Sequence, residues 1–174
     1  PPTWALLLAQ SCKSVGHKCA IIDAIAENLS IEETYERVTS LNPKILVFTV
    51  YGQNVNAGTT SMSGAVSVAN FLKKKNFKSP LVFIGSHVQA LPIETLKNEP
   101  SIDIICTNEG VYSLRSLLKL NNFSPSQLES VKGICFRRND KPFMTLPEKI
   151  VPQDRMDIDL PGYAFELLPF KNKH

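Results

Sequence analysis

The chain has 174 residues, 43% of them hydrophobic, enough to bury the core of one domain with an appendage. Nineteen Lys and Arg against sixteen Asp and Glu leave a net charge of +3 without a dense basic block, which argues against a nucleic-acid partner. No apolar run is long enough to span a bilayer and no signal peptide is visible, so nothing points to a membrane.

Pro1-Pro2-Thr3 leads into a helix over Trp4 to Val15, with proline in the entry turn and Gly16 as the stop. Trp4, Leu8, Cys12 and Val15 line its expected core face. His17 to Asp23 is expected to be a strand ending in an acid. Ser30 and Glu33 form a capping box for a helix that runs to about Leu41, where Asn42-Pro43 breaks it. Ile45-Leu46-Val47-Phe48 is an apolar run too short for a helix, and reads as a buried strand. A polar loop over Thr49 to Gly58 follows, then an amphipathic helix over Ser61 to Lys75 with Ala65, Val68, Ala69 and Leu72 on one face.

Leu81 to Gly85 is a second buried strand, with Ser86 to Ala90 as its carboxyl-end loop and a short helix opening at Pro92. Ile102 to Cys106 is a third, followed by Thr107-Asn108-Glu109-Gly110 and a helix over Tyr112 to Leu120. The alternation implies right-handed crossovers and a parallel sheet covered on both faces, a Rossmann-like (flavodoxin-like) α/β fold. Gly133 to Arg138 and Pro142 to Leu146 then flank Asn139-Asp140 as a β-hairpin, before a proline-rich linker. The expected divisions are an α/β domain over 1–128, a hairpin appendage over 129–150 and a linker over 151–174. A doubly wound domain normally opens with a strand, so an apolar strand of about six residues is expected to precede Pro1 in a longer protein.

Cys12, Cys19, Cys106 and Cys135 include no CxxC pair, and reduced thiols in a cytoplasmic protein are the expectation. In an open α/β sheet ligands bind at the carboxyl ends of the strands. Three loops meet there: Thr49 to Asn56, Gly85 to Val88, and Glu109-Gly110. Asn54 and Asn56 either contact a ligand, as their place at the strand end favours, or cap the next helix. Gly85 clears room for whatever lies against the strand end, serves a tight turn of positive φ, or does both. His87 either meets a ligand or bonds a neighbouring loop carbonyl, and His17 is expected at the surface. Glu109 either bonds a sugar hydroxyl or sits near a helix amino terminus. A phosphoacceptor role for Asp23 is disfavoured, because no acid follows the strand that ends at Thr49-Val50-Tyr51. No catalytic triad, phosphate-cradling glycine loop or metal-ligand spacing is present.

Pro1-Pro2 before a helix, Gly16-His17, Ile22-Asp23-Ala24, the Asn/Gln loop, Gly85-Ser86-His87-Val88, Pro92-Ile93-Glu94 and Glu109-Gly110 occur in one order. Together they resemble the amino-terminal cobalamin-binding domain of cobalamin-dependent radical S-adenosylmethionine enzymes, over nearly the whole chain. The resemblance implies a module that holds base-off cobalamin, with Thr49, Tyr51, Gly52, Gln53, Asn54, Asn56, Gly85, Ser86, His87, Val88, Glu109 and Gly110 as its cofactor-binding positions. It also implies a partner barrel, outside this chain, carrying S-adenosylmethionine and a 4Fe-4S cluster in a methyltransferase or cyclase. The fragment alone is not expected to be catalytic.

Departures from the family pattern are visible too. Neither CxxxCxxC nor DxHxxG is present, the second as expected for the radical subfamily. Ser-x-Leu is replaced by Thr49-Val50-Tyr51, Gly-Gly by Gly85-Ser86, and Gly-Glu-Gly-Glu by Asn108-Glu109-Gly110-Val111. Tyr51 and the altered acidic segment favour an alternative, a scaffold domain that keeps the fold without the cofactor and docks a substrate or partner domain.

Overall fold

The computed structural model describes residues 2–51 and 55–168, with the backbone only for 55–60. Helix α1 (Thr3–Ser14) starts after Pro2, whose ring is tolerated in the entry turn, and Gly16 leaves it at φ 91°. Helix α2 (Ile31–Leu41) opens on the full capping box: Ser30 Oγ accepts from Glu33 N, and Glu33 accepts from Ser30 N. It closes on Asn42 in the left-handed region at φ 43°. Strand β1 (Leu46–Thr49), helix α3 (Val55–Lys74) and strand β2 (Leu81–Ile84) form a parallel crossover unit. Helices α4 (Ser86–Ala90) and α5 (Pro92–Asn98) lead to strand β3 (Ile104–Cys106), and helix α6 (Val111–Lys119) comes after it. A single turn, α7 (Pro125–Leu128), precedes strands β4 (Ile134–Arg138) and β5 (Lys141–Met144). Asn139 and Asp140 join those strands with φ of 50° and 61°, the left-handed pair that a two-residue hairpin turn demands.

The strands form one five-stranded sheet in the order β1-β2-β3-β4-β5. Its first two pairings are parallel and the last two antiparallel, so the hairpin is hydrogen-bonded into the main sheet through Ile105 opposite Cys135. Side chains alternate across the sheet, which separates two apolar clusters. Val82, Ile84, Ile104, Cys106 and Ile134 face α1 and α6 through Leu8, Cys12, Leu114 and Leu117. Leu81, Phe83, Ile105 and Cys135 face the other layer through Val38, Ala69, Leu72 and Leu96. All four residues of β2 are buried, as the middle of a two-layered cover requires, whereas those of β1 are only half-buried. Phe48 stacks on Phe83 with ring centroids 4.5 Å apart.

Three local expectations are corrected. Residues 17–23 form no strand, because residues 18–22 have no backbone hydrogen-bonding neighbour among the described residues. Helix α3 begins at Val55 rather than Ser61, so Asn56 lies in its first turn and not in a loop. Ser86 to Ala90 is a short helix rather than an open loop. The expectations at Gly52, Gln53 and Asn54 lie outside the described residues. No helix among the described residues is long and apolar enough to cross a membrane.

Candidate functional site

The carboxyl ends of β1, β2 and β3 lie side by side, and the segment beyond each strand is held by the other two. Val50 continues β1 by donating its N–H to Ile84 O at 2.7 Å, and its side chain is buried. Tyr51 then stands at the rim, 40% exposed, with its ring edge-to-face on Trp4 at 5.9 Å. Gln89 of α4 donates to the Tyr51 hydroxyl at 2.8 Å and to Asn108 O at 2.5 Å. Trp4 donates its indole N–H to Glu109 O at 3.0 Å, which brings the start of α1 to the same edge. Burial raises the Tyr51 phenol above its ordinary pKa, against the opposing pull of the Gln89 bond, so the hydroxyl stays protonated at neutral pH.

The third loop is satisfied from within the protein. Asn108 Oδ1 accepts from Gly110 N and its Nδ2 donates to Glu148 O, both at 3.0 Å. The Glu109 carboxylate accepts Val151 N–H at 2.6 Å. Gly110 sits at φ 85°, a backbone conformation that favours glycine. Sequence reasoning placed Gln89 and Asn108 beyond strand ends without naming them as site residues, and it read Trp4 only as a core residue of the first helix.

Of the two expectations at Gly85, the positive-φ turn is not found, and what a side chain would block at the strand end is the protein's own backbone. The φ of 161° at Gly85 is extended backbone, so no positive-φ turn is involved. A Cβ would stand 2.0 Å from the Val50 carbonyl oxygen, so the protein's own crossing chain occupies the space. Val88 is fully buried in the core beside α3. Ser86 is exposed, while His87 and Thr49 are half-buried, and the side chains of all three have no hydrogen-bond partner among the described residues. The side chain of Asn56 lies outside the described residues.

Among the described residues no group of His, Cys, Asp and Glu is arranged to hold a metal ion. Burial pushes the Cys106 thiol up to about 12 and that of Cys135 up to about 11, so both are neutral core groups. The neighbouring thiols of Cys12 and Cys19 shift each other, the first upward with burial adding to it and the second downward against burial. Among the described residues the edge therefore offers the hydroxyls of Thr49 and Ser86 and the imidazole of His87 for binding, with no nucleophile paired to a base.

The segment after the hairpin is clamped beside this edge. Asp159, on the single turn α8 (Met156–Asp159), is buried. It accepts from Tyr112 Oη at 2.7 Å and from Arg115 Nη1 at 2.6 Å, with Arg155 Nε at 3.1 Å. Arg115 Nη2 also donates to Ser11 O and Asp159 O, each at 3.0 Å, tying α1, α6 and α8 together. The Tyr112 bond and those of the two guanidinium groups hold the Asp159 carboxyl well below its usual range, against the burial that opposes them.

The profile of the B12 binding domain matches residues 1–118. An uncharacterized methyltransferase of Pyrococcus horikoshii is 27% identical over 169 residues, 97% of this chain and 34% of the relative. The anaerobic magnesium-protoporphyrin IX monomethyl ester cyclase of Synechocystis is 26% identical over 173 residues, 98% of this chain and 32% of the relative. The chain thus spans about a third of the curated relatives it matches. A solved structure of OxsB, a cobalamin-dependent S-adenosylmethionine radical enzyme with aqua-cobalamin and S-adenosylmethionine bound, superposes with a TM-score of 0.57 at 16% identity. That overlap covers 79% of this chain and 18% of the other, and it shows the shared fold. The sheet, its helices on both faces and the match over residues 1–118 agree, and the chain belongs to the B12-binding domain family.

Proposed function

We propose that this domain binds cobalamin, base-off, over the carboxyl edge of β1, β2 and β3, and presents it to a radical S-adenosylmethionine barrel elsewhere in a longer polypeptide. The observation that carries the reading is the set of polar side chains at that edge without a hydrogen-bond partner among the described residues: Thr49, Ser86 and His87. The corrin periphery bears amides, which such hydroxyls and an imidazole suit as donors and acceptors. Gly52, Gln53, Asn54 and Asn56 are the remaining proposed cofactor-binding positions, chosen for their amide side chains and the small size of glycine. Tyr51, held by Gln89 and Trp4, forms a fixed apolar wall beside them. Glu109 and Gly110 shape the third side through their backbone, because the Glu109 carboxylate is engaged by Val151.

Bound cobalamin supplies a cobalt centre able to carry an alkyl group. The protein residues bind and orient it, and the sequence contains no DxHxxG motif from which a histidine would reach cobalt. S-adenosylmethionine and the 4Fe-4S cluster belong to the barrel, in an enzyme of methyltransferase or cyclase type like the relatives named above.

The test is titration of the full-length polypeptide with aqua-cobalamin, followed by gel filtration and an absorption spectrum of the protein peak. Co-elution with a base-off spectrum is the expected result, weakened at least tenfold in Thr49→Val/His87→Ala. A second reading, a scaffold domain without the cofactor, is favoured by the self-satisfied bonds of Tyr51, Gln89, Asn108 and Glu109. Absence of cobalamin from the peak of a folded sample would establish that reading instead.

A further inference from the structure

Two of the four cysteines, Cys12 and Cys19, are neighbours in space. Helix α1 ends in a left-handed turn that brings the chain back toward the helix. Gly16, at φ 91°, donates its N–H to Lys13 O at 2.9 Å, and His17 donates its N–H to Cys12 O at 3.2 Å. Paired bonds of this kind are the helix ending in which a glycine reverses the chain over the last turn. Cys19 comes two residues later, with its Sγ 3.9 Å from His17 O. It packs on the apolar cluster that contains Cys12, which sets the two thiols side by side.

The cysteines differ in access. Cys19 is half-buried, whereas Cys12 is 5% exposed and Cys106 and Cys135 are fully enclosed. The Cys12 thiol and, after it, Lys13 lower the Cys19 thiol from its ordinary value, against the burial that opposes them. A thiol inclined to ionise and within reach of solvent, beside a buried partner thiol, is the arrangement of a nucleophilic cysteine and the cysteine that resolves it.

We propose that Cys12 and Cys19 form a redox-active dithiol: Cys19 reacts with a low-molecular-weight disulfide, and Cys12 closes the product to a Cys12–Cys19 bond that clasps α1 to the segment after Gly16. In the first step the Cys19 thiolate bonds one sulfur of the incoming disulfide, whose S–S bond breaks and whose other half leaves as a thiolate. In the second, Cys12 gives up its proton, its sulfur bonds that of Cys19, and the remaining half leaves as a second thiolate. Two electrons pass from the protein to the small disulfide, which takes up the two protons the cysteines release and ends as two thiols. Capping of Cys19 removes the neighbour that contributes most to the elevation of Cys12, and Arg115 favours the second thiolate. The proposal stands independently of cobalamin binding.

The test is exposure of the folded full-length polypeptide, without cobalamin, to oxidised glutathione, followed by alkylation of the remaining thiols, tryptic digestion and mass spectrometry. Cleavage after Lys13 and Lys18 places the two cysteines on separate peptides, so a bond between them appears as a cross-linked pair. The expected result is that pair, lost on treatment with dithiothreitol and formed about tenfold or more faster than any modification of Cys106 or Cys135. In Cys12→Ser glutathione is expected to remain on Cys19, and in Cys19→Ser the Cys12 thiol is expected to stay unmodified. Both thiols free in the wild type, or glutathione held on Cys19 without the cross-link, would overturn the proposal. So would modification of Cys106 and Cys135 at the same rate, which would mean that the reaction runs through the unfolded chain.

Discussion

Replacing Gly85 by alanine tests whether the β1–β2 crossing, and not the ligand, dictates glycine at the end of β2. The added Cβ would stand 2.0 Å from Val50 O and 2.7 Å from Val50 C, where ordinary contacts exceed 3.0 Å. The obstacle is backbone, so no side-chain rotamer relieves it, and Val50 must retreat by about 1 Å in a densely packed region. That movement pulls on the 2.7 Å bond from Val50 N–H to Ile84 O, worth about 1 kcal/mol. Overpacking of a filled site costs about 1–3 kcal/mol more. The expected loss is therefore about 2–4 kcal/mol, measured by urea unfolding without any cofactor. A loss below about 0.5 kcal/mol, the range of an indifferent surface change, would refute the reasoning and return Gly85 to a role in ligand access.

The remaining predictions concern the clamp at Asp159. Asp159→Asn leaves the buried Arg115 guanidinium without its counter-charge, and thermal or urea unfolding should show a loss of about 3 kcal/mol or more. A change under about 1 kcal/mol would mean that the neutral amide satisfies Arg115 and Tyr112 equally well. In the wild-type chain the folded pKa of Asp159 lies below its unfolded value of about 3.9. Its contribution is therefore complete above that value and is lost as pH falls from about 4 through the folded pKa. The melting temperature should drop more steeply below about pH 4 in wild type than in Asp159→Asn. Parallel curves in that window would assign the acid transition to other carboxylates.

Much of the fold is visible in local sequence, because the signals concerned act within a few residues. Ser30 and Glu33 bond each other's backbone at a spacing of three, and Asn139-Asp140 are residues that tolerate the left-handed turn. The uninterrupted apolar run Leu81 to Ile84 marks a strand buried on both faces, as it is. The adjacency of the three strand ends at the candidate site was legible, since polar residues come after three apolar runs and parallel strands bring those ends together. Their individual partners were not. Glu109 gives its carboxylate to Val151, 42 positions away, and Asn108 gives its amide to Glu148, 40 positions away. No short-range pattern encodes such pairings.

The sequence by itself determined the strand–helix alternation, the hairpin turn and the apolar periodicity that assigns each side chain to one face of the sheet. Only the tertiary structure decided that residues 17–23 do not make a strand, because a strand exists through its neighbour's hydrogen bonds and not through its own apolar residues. Only it decided that Gly85 yields to the Val50 carbonyl, that Trp4 joins the carboxyl edge, and that Arg115 anchors Asp159. In each case the deciding atom comes from another part of the chain, brought close by the packing of helices on the sheet.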